Sequence, residues 1–225
     1  METKDFSKAK QKWNEIKNRN FDKQLSLFLF KQILNKENLK TTVKLAAFEA
    51  FLAKENSEER KVLSEKYANA YKLAKNEDEF EGLKVGEIDQ TYKQWYEKNK
   101  IKDGLYYDLR TWYIDNYFIK LEDFMNFYGE NESKKRKCKY CGISEKDIEK
   151  LLAAGKLNTK RLATRGKFME IDRKKPNDEY TLDNMVLSCY WCNNAKSDEF
   201  TYKEFKKIGD EIQKVFKNRL KSKSK

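Results

Sequence analysis

Apolar residues recur at intervals of three and four along most of this chain. Phe6, Ala9, Trp13 and Ile16 hold that spacing in a charged background, which predicts an amphipathic helix. Leu25 to Leu34 is denser in apolar positions and reads as helix, because Gln32-Ile33-Leu34 extends it. Thr42 to Lys54, rich in Ala and Leu, predicts another. Asn56 with Glu59 has the pattern of a capping box opening a helix with Leu63, Tyr67, Ala70, Tyr71 and Ala74 on one face. Gly82 to Gly86 interrupts the repeat. From 92 to 128 the repeating positions turn aromatic, as in Leu105, Leu109 and Trp112, then Tyr117, Leu121, Phe124 and Tyr128, with a turn at Asp103-Gly104. That spacing predicts the core of a helical bundle. The many tyrosines, whose hydroxyls favour a wet edge, also admit a surface that stacks bases or docks a protein partner.

The pattern changes near Asn131–Lys137, a basic run read as a solvated linker or phosphate contact. It divides the chain into a helical, aromatic-rich region (1–132) and a basic region (133–225). In the second, Ser144-Glu-Lys-Asp147 caps a helix reaching about Ala154, and Gly155 ends it. Phe168 to Asp172 alternates like a strand, Lys174 to Asp178 forms a loop, and Met185 to Ser188 is the return strand. Cys189 starts a helix carrying Asn193 and Lys196. Thr201-Tyr-Lys-Glu204 is a second capping box, opening a helix through Phe205, Ile208, Ile212, Val215 and Phe216. The Lys/Ser-rich end after Leu220 is expected to fray. The expected fold is α+β, a mainly helical region followed by a hairpin-and-helix module and a C-terminal helix.

Composition sharpens this in three ways. A single proline and few glycines in 225 residues favour helices. No apolar run reaches membrane-spanning length, and Met1 to Trp13 is too polar for a signal peptide, so a cytoplasmic protein is expected. The net charge of +12 is also lopsided: residues 1–132 hold 24 basic and 24 acidic side chains, residues 133–225 hold 25 and 13. A basic surface of this kind attracts phosphate backbones through counterion release, although solubility alone also explains one.

All four cysteines fall in two C-x-x-C pairs, Cys138/Cys141 and Cys189/Cys192. Two disulfides or a redox pair are alternatives. Reduced thiols fit a cytoplasmic chain, and a redox pair needs no second copy. Two C-x-x-C turns can close the tetrahedral shell of one structural Zn²⁺, with Gly142 allowing the tight knuckle after the first pair.

The second pair lies in Val-Leu-Ser-Cys-x-x-Cys-Asn-x-x-Lys, after Asp183-Asn184, with Ile171-Asp172 upstream. Over residues 138–205 this resembles the HNH (His-Asn-His, ββα-metal) endonucleases. The resemblance implies two strands and a helix holding a catalytic divalent cation, Mg²⁺ or Mn²⁺, beside a structural zinc. Asp172 matches the strand-end metal ligand, Asn184 the residue that ties the hairpin loop, and Asn193 the helix residue that completes the metal site. The family's general-base His is replaced by Arg173, and the chain has no His. Arginine keeps its proton in proteins, so Arg173 is read as a phosphate ligand. Tyr180 is the first candidate for the base, with Asp178, Glu170 and a metal-bound water as others. Arg161, Arg165, Lys167, Arg173, Lys174, Lys175 and Lys196 are the expected nucleic-acid contacts, and duplex DNA the expected partner. Three functions follow: a metal-dependent DNA endonuclease, a zinc-stabilised nucleic-acid-binding module without cleavage, or an interaction protein acting through residues 92–128.

Overall fold

The computed structural model describes residues 3–72, 78–101, 104–129, 136–159 and 165–222, leaving out the side chains of 3–7 and of 71–72. The expectations for Phe6, Tyr71, Ala74, Asp103, Arg161 and most of the 131–137 run lie outside the described residues. The chain packs as two compact units, residues 17–118 and residues 1–16 with 119–225. The packing thus groups residues differently from the division drawn at 132/133.

In unit 17–118 the long helix α1 (Thr3–Leu34) supplies Phe21, Leu25 and Phe28. The amphipathic and apolar stretches read from the sequence as separate helices are continuous, since nothing between them breaks a helix. A short helix α2 (Leu39–Thr42) and α3 (Leu45–Leu52) follow. Phe48 of α3 meets Phe21 and Phe28 at ring separations of 6.2 and 5.4 Å. Helix α4 (Ser57–Lys72) does not begin with the expected capping box. Asn56 lies in a 3₁₀ turn, and its amide donates to Ala50 O at 2.7 Å instead. The glycine-marked break at 82–86 holds a small hairpin, β1 (Glu79–Phe80) with β2 (Leu83–Lys84). Both its turn residues, Glu81 and Gly82, have positive φ, as a tight hairpin turn requires.

Helix α5 (Val85–Asn99) and α6 (Leu105–Trp112), the latter continuing through a π-type turn at Tyr113–Tyr117, bury Tyr92, Trp95, Tyr106 and Tyr113. The aromatic segment is therefore mostly core. Its hydroxyls find inner partners: Tyr113 accepts from Asn20 at 2.8 Å and Tyr106 donates to Asp22 at 3.0 Å. Tyr107 is an exposed exception.

The other unit contains α7 (Leu121–Tyr128), α8 (Glu145–Ala153), the antiparallel pair β3 (Glu170–Arg173) and β4 (Met185–Ser188), α9 (Tyr190–Lys196) and α10 (Tyr202–Lys221). Ser144 caps α8 by accepting from Asp147 N, and Thr201 with Glu204 forms the capping box of α10, both as the sequence reads. The core gathers Tyr140, Ile148, Leu151, Met169, Val186, Phe205 and Phe216 around the four cysteines. Among the described residues, no helix is long and apolar enough to cross a membrane.

Candidate active site

The two C-x-x-C turns converge. The ligand atoms of Cys138, Cys141, Cys189 and Cys192 all lie within 4.8 Å of one another, and all four residues are buried. Cys141 Sγ and Cys189 Sγ are 3.7 Å apart, and all four thiols are free. Tetrahedral zinc at about 2.3 Å from each sulfur sets them about 3.8 Å apart. A disulfide would need about 2 Å. Hydrogen bonding with Cys141, then Cys189 and Cys192, holds the Cys138 thiol well below its usual range. Hydrogen bonding to Cys138 in turn pushes Cys189 and Cys192 up. Four crowded thiols cannot all ionise without a cation between them, so the donor set fits zinc.

The knuckle is built as its glycine demands. Gly142 has φ +72° and its N–H donates to Cys138 O at 2.8 Å. Lys139 N donates to Leu187 O at 2.8 Å, bonding the knuckle to β4. Tyr140, between the two cysteines, is fully buried and donates its hydroxyl to Asp172 Oδ2 at 2.5 Å. On the far side of the knuckle, Gly209 lets α10 approach closely. A Cβ there would sit 2.8 Å from Tyr140 C and 2.9 Å from Tyr140 O.

The β3–β4 register pairs Glu170 with Ser188 and Asp172 with Val186. Residues two apart on a strand share a face, so Glu170 and Asp172 point to one side and Arg173 to the other. Residues three apart on a helix are neighbours, and α9 meets this face with Asn193 and Lys196. The result is two rungs. In the first, Asn193 Nδ2 donates to Glu170 Oε2 at 2.7 Å, and Arg165 grips the same carboxylate through Nε and Nη2 at 2.7 and 2.5 Å. In the second, Lys196 Nζ lies 3.4 Å from Asp172 Oδ2. Burial pushes the Asp172 carboxyl up, opposed by the Tyr140 hydroxyl and the Lys196 ammonium. Burial and the bond to Asp172 push the Tyr140 phenol well above its usual range.

These rungs bear directly on the sequence expectations. Asp172 and Asn193 occupy the same interface, yet no hydrogen bond joins them; each has a different partner. Lys196 is a correction: expected on the nucleic-acid surface, it is 0 % exposed because it neutralises a buried carboxylate. Arg165 is largely spent on Glu170, and the Glu170 hydrogen bonds raise its pKa further. Arg136, read as part of a solvated basic run, is also a correction. It is buried, pairing with Glu145 at 2.9 Å, while Glu145 Oε1 accepts from Met169 N at 2.7 Å, just before β3.

Asn184 bridges the hairpin loop. Its Oδ1 accepts from Lys175 N at 2.9 Å, and its Nδ2 donates to Lys175 O at 3.1 Å and Glu179 O at 2.9 Å. Arg173, on the outer face, donates to Asp178 O at 3.2 Å, pairs with Asp198 at 3.3 Å and lies over the Tyr180 ring at 5.0 Å. Lys175 and Lys167 are exposed, and Lys174 bonds Asp183 O at 2.6 Å. Sequence reasoning missed Tyr140, Ser188 and Gly209. A tyrosine inside a C-x-x-C pair and a lone glycine within an amphipathic helix were the available signals.

No protein-family model matches the chain, and no curated protein matches it. Among solved structures it is similar to one of the rare-cutting HNH restriction endonuclease PacI, described for an extraordinary mechanism of DNA perturbation. That similarity is 25% identity over 56% of this chain and 80% of the other, with a TM-score of 0.39.

Proposed function

We propose that the chain is a metal-dependent DNA endonuclease of ββα-metal type, hydrolysing phosphodiester bonds. The observation that carries this reading is the β3–α9 interface, where two carboxylates and Asn193 meet on a hairpin bonded to a four-cysteine knuckle. Asp172 and Asn193 are the oxygen ligands for Mg²⁺ or Mn²⁺, the hard donors such ions take. When bound, that cation supplies Lewis-acid stabilisation of the phosphate and the leaving oxygen.

The remaining roles fall to the chain's own groups. Tyr140 and Lys196 fix the Asp172 carboxylate. Arg173, Lys174, Lys175 and Lys167, with Arg161, hold the phosphate backbone. Tyr180, whose ring packs against the Arg173 guanidinium, is the side chain we assign to take a proton from water. Asn184 keeps the loop that presents these groups in one shape.

The test is nicking of supercoiled plasmid with and without Mg²⁺ or Mn²⁺. Asp172→Asn should abolish nicking with zinc content retained, and cutting at wild-type rate by that variant would sink the reading. Tyr180→Phe should cost about 10²–10⁴ in rate if the phenol is the base.

A second reading is favoured by one observation: Arg165 and Lys196 already neutralise both carboxylates. In it the module binds nucleic acid without cutting. Wild type would then be inert, Arg173→His would restore nicking, and duplex affinity would still fall by about 0.9 log units per log of salt for each phosphate contact.

A further inference from the structure

Resting on the endonuclease reading, we propose that Glu170 and the Ser188 hydroxyl belong to the cation site, and that Arg165 is a resident counter-cation displaced when metal binds. Three observations converge. Glu170 is 5 % exposed, and the carboxylate that Asn193 touches is this one. Ser188 is the ladder partner of Glu170, so its side chain stands on the same face, with Cβ atoms about 4.5–5.5 Å apart. Its Oγ is fully buried without a hydrogen-bond partner among the described residues. A carboxylate, an amide and an unused hydroxyl from β3, α9 and β4 thus share one face. With the Asn193 amide turned to present Oδ1 in place of Nδ2, they offer an all-oxygen donor set, the kind that suits Mg²⁺ or Mn²⁺.

Charge decides what must leave. The layer holds two carboxylates and two cations, so it is balanced as it stands. A divalent ion adds two charges that burial makes costly. The Lys196 side chain is 0 % exposed, whereas that of Arg165 is 31 % exposed. Arg165 is therefore the one that departs. Once free, its guanidinium is a fork for phosphate beside the metal, which couples cation binding to nucleic-acid binding.

The experiment measures Mn²⁺ affinity of the zinc-loaded full chain from the free-Mn²⁺ electron-paramagnetic-resonance signal. Alongside it, the Arg165 Nε–Hε resonance is followed during Mg²⁺ titration. Glu170→Gln should bind Mn²⁺ roughly tenfold more weakly and Arg165→Gln roughly tenfold more tightly, the scale of a charge-assisted bond. Ser188→Ala should bind a few-fold more weakly. In wild type, Mg²⁺ should move the Arg165 resonance toward its solvent-exposed position. That wild-type measurement decides the matter if Arg165→Gln does not fold. An Arg165 resonance unmoved at saturating Mg²⁺ overturns the proposal, as does unchanged affinity in folded Arg165→Gln or Glu170→Gln. If wild type still binds Mn²⁺ and nicks plasmid in those cases, the endonuclease reading stands without this site. If wild type binds no Mn²⁺, both fall.

Discussion

Lys196→Met isolates the ion pair beneath the candidate site. Lys196 Nζ lies 3.4 Å from Asp172 Oδ2, with side chains 0 % and 10 % exposed. At an effective dielectric constant near 20, unit charges at that separation attract by about 5 kcal/mol. Removing one partner of a buried pair typically costs about 3–5 kcal/mol, because the other charge stays uncompensated. We therefore expect a loss of about that size near neutral pH, with Tyr140 still donating to the carboxylate. The loss should shrink in acid. Burial already holds the Asp172 carboxyl above its ordinary value of 3.8. A carboxyl raised in the folded state contributes stability that is complete below its unfolded pKa and is lost as pH rises through the folded one. Lys196 lowers that folded value, so without it the value climbs and the protonated form, which needs no counter-ion, takes over at higher pH. Urea unfolding of zinc-loaded protein near pH 7 and near pH 5, read by hydrogen-exchange mass spectrometry over residues 170–196, measures both effects. An equal loss at the two pH values, or one below about 1 kcal/mol near neutrality, would refute the reasoning, since only exposed pairs are worth so little.

Two further substitutions probe the support of the site. Gly209→Ala should destabilise by about 1–3 kcal/mol through overpacking against the Tyr140 backbone, although alanine is the better helix former by about 0.8–1 kcal/mol; denaturant midpoints compared with an exposed-face control such as Lys207→Ala check it. Cys141→Ser should lower zinc content and unfold the unit containing β3 and β4, since a structural zinc site supplies about 10–16 kcal/mol of apparent binding energy; elemental analysis and circular dichroism before and after chelation read the outcome.

The local structure of the module was legible because it is written in local chemistry. The hairpin strands, the Ser144 cap and the Thr201–Glu204 capping box depend on residues a few positions apart, and the sequence displays those spacings directly. The meeting of the four cysteines rests on two short motifs that share one donor chemistry. What the sequence hid were charges turned inward. Lys196, Arg165 and Arg136 look like any surface cations, and their inward pairing depends on carboxylates 24, 5 and 9 positions away that only the packed chain brings near. The Asn56 capping pattern misled for the converse reason. A 3₁₀ turn took that residue's amide for Ala50 O before the helix began.

Tyr140 has one more consequence. It occupies the third position of Cys138-Lys-Tyr-Cys141, and its hydroxyl ends on Asp172. The cysteine spacing is thus also a ruler for the carboxylate: the backbone that positions two thiolates fixes the reach of a single phenol. Anyone transplanting a different four-cysteine loop onto this hairpin would retain the metal anchor and lose the calibration. Such a chimera would carry zinc, fold around it, and still leave Asp172 with Lys196 but without its phenol unless the graft brought a tyrosine in register.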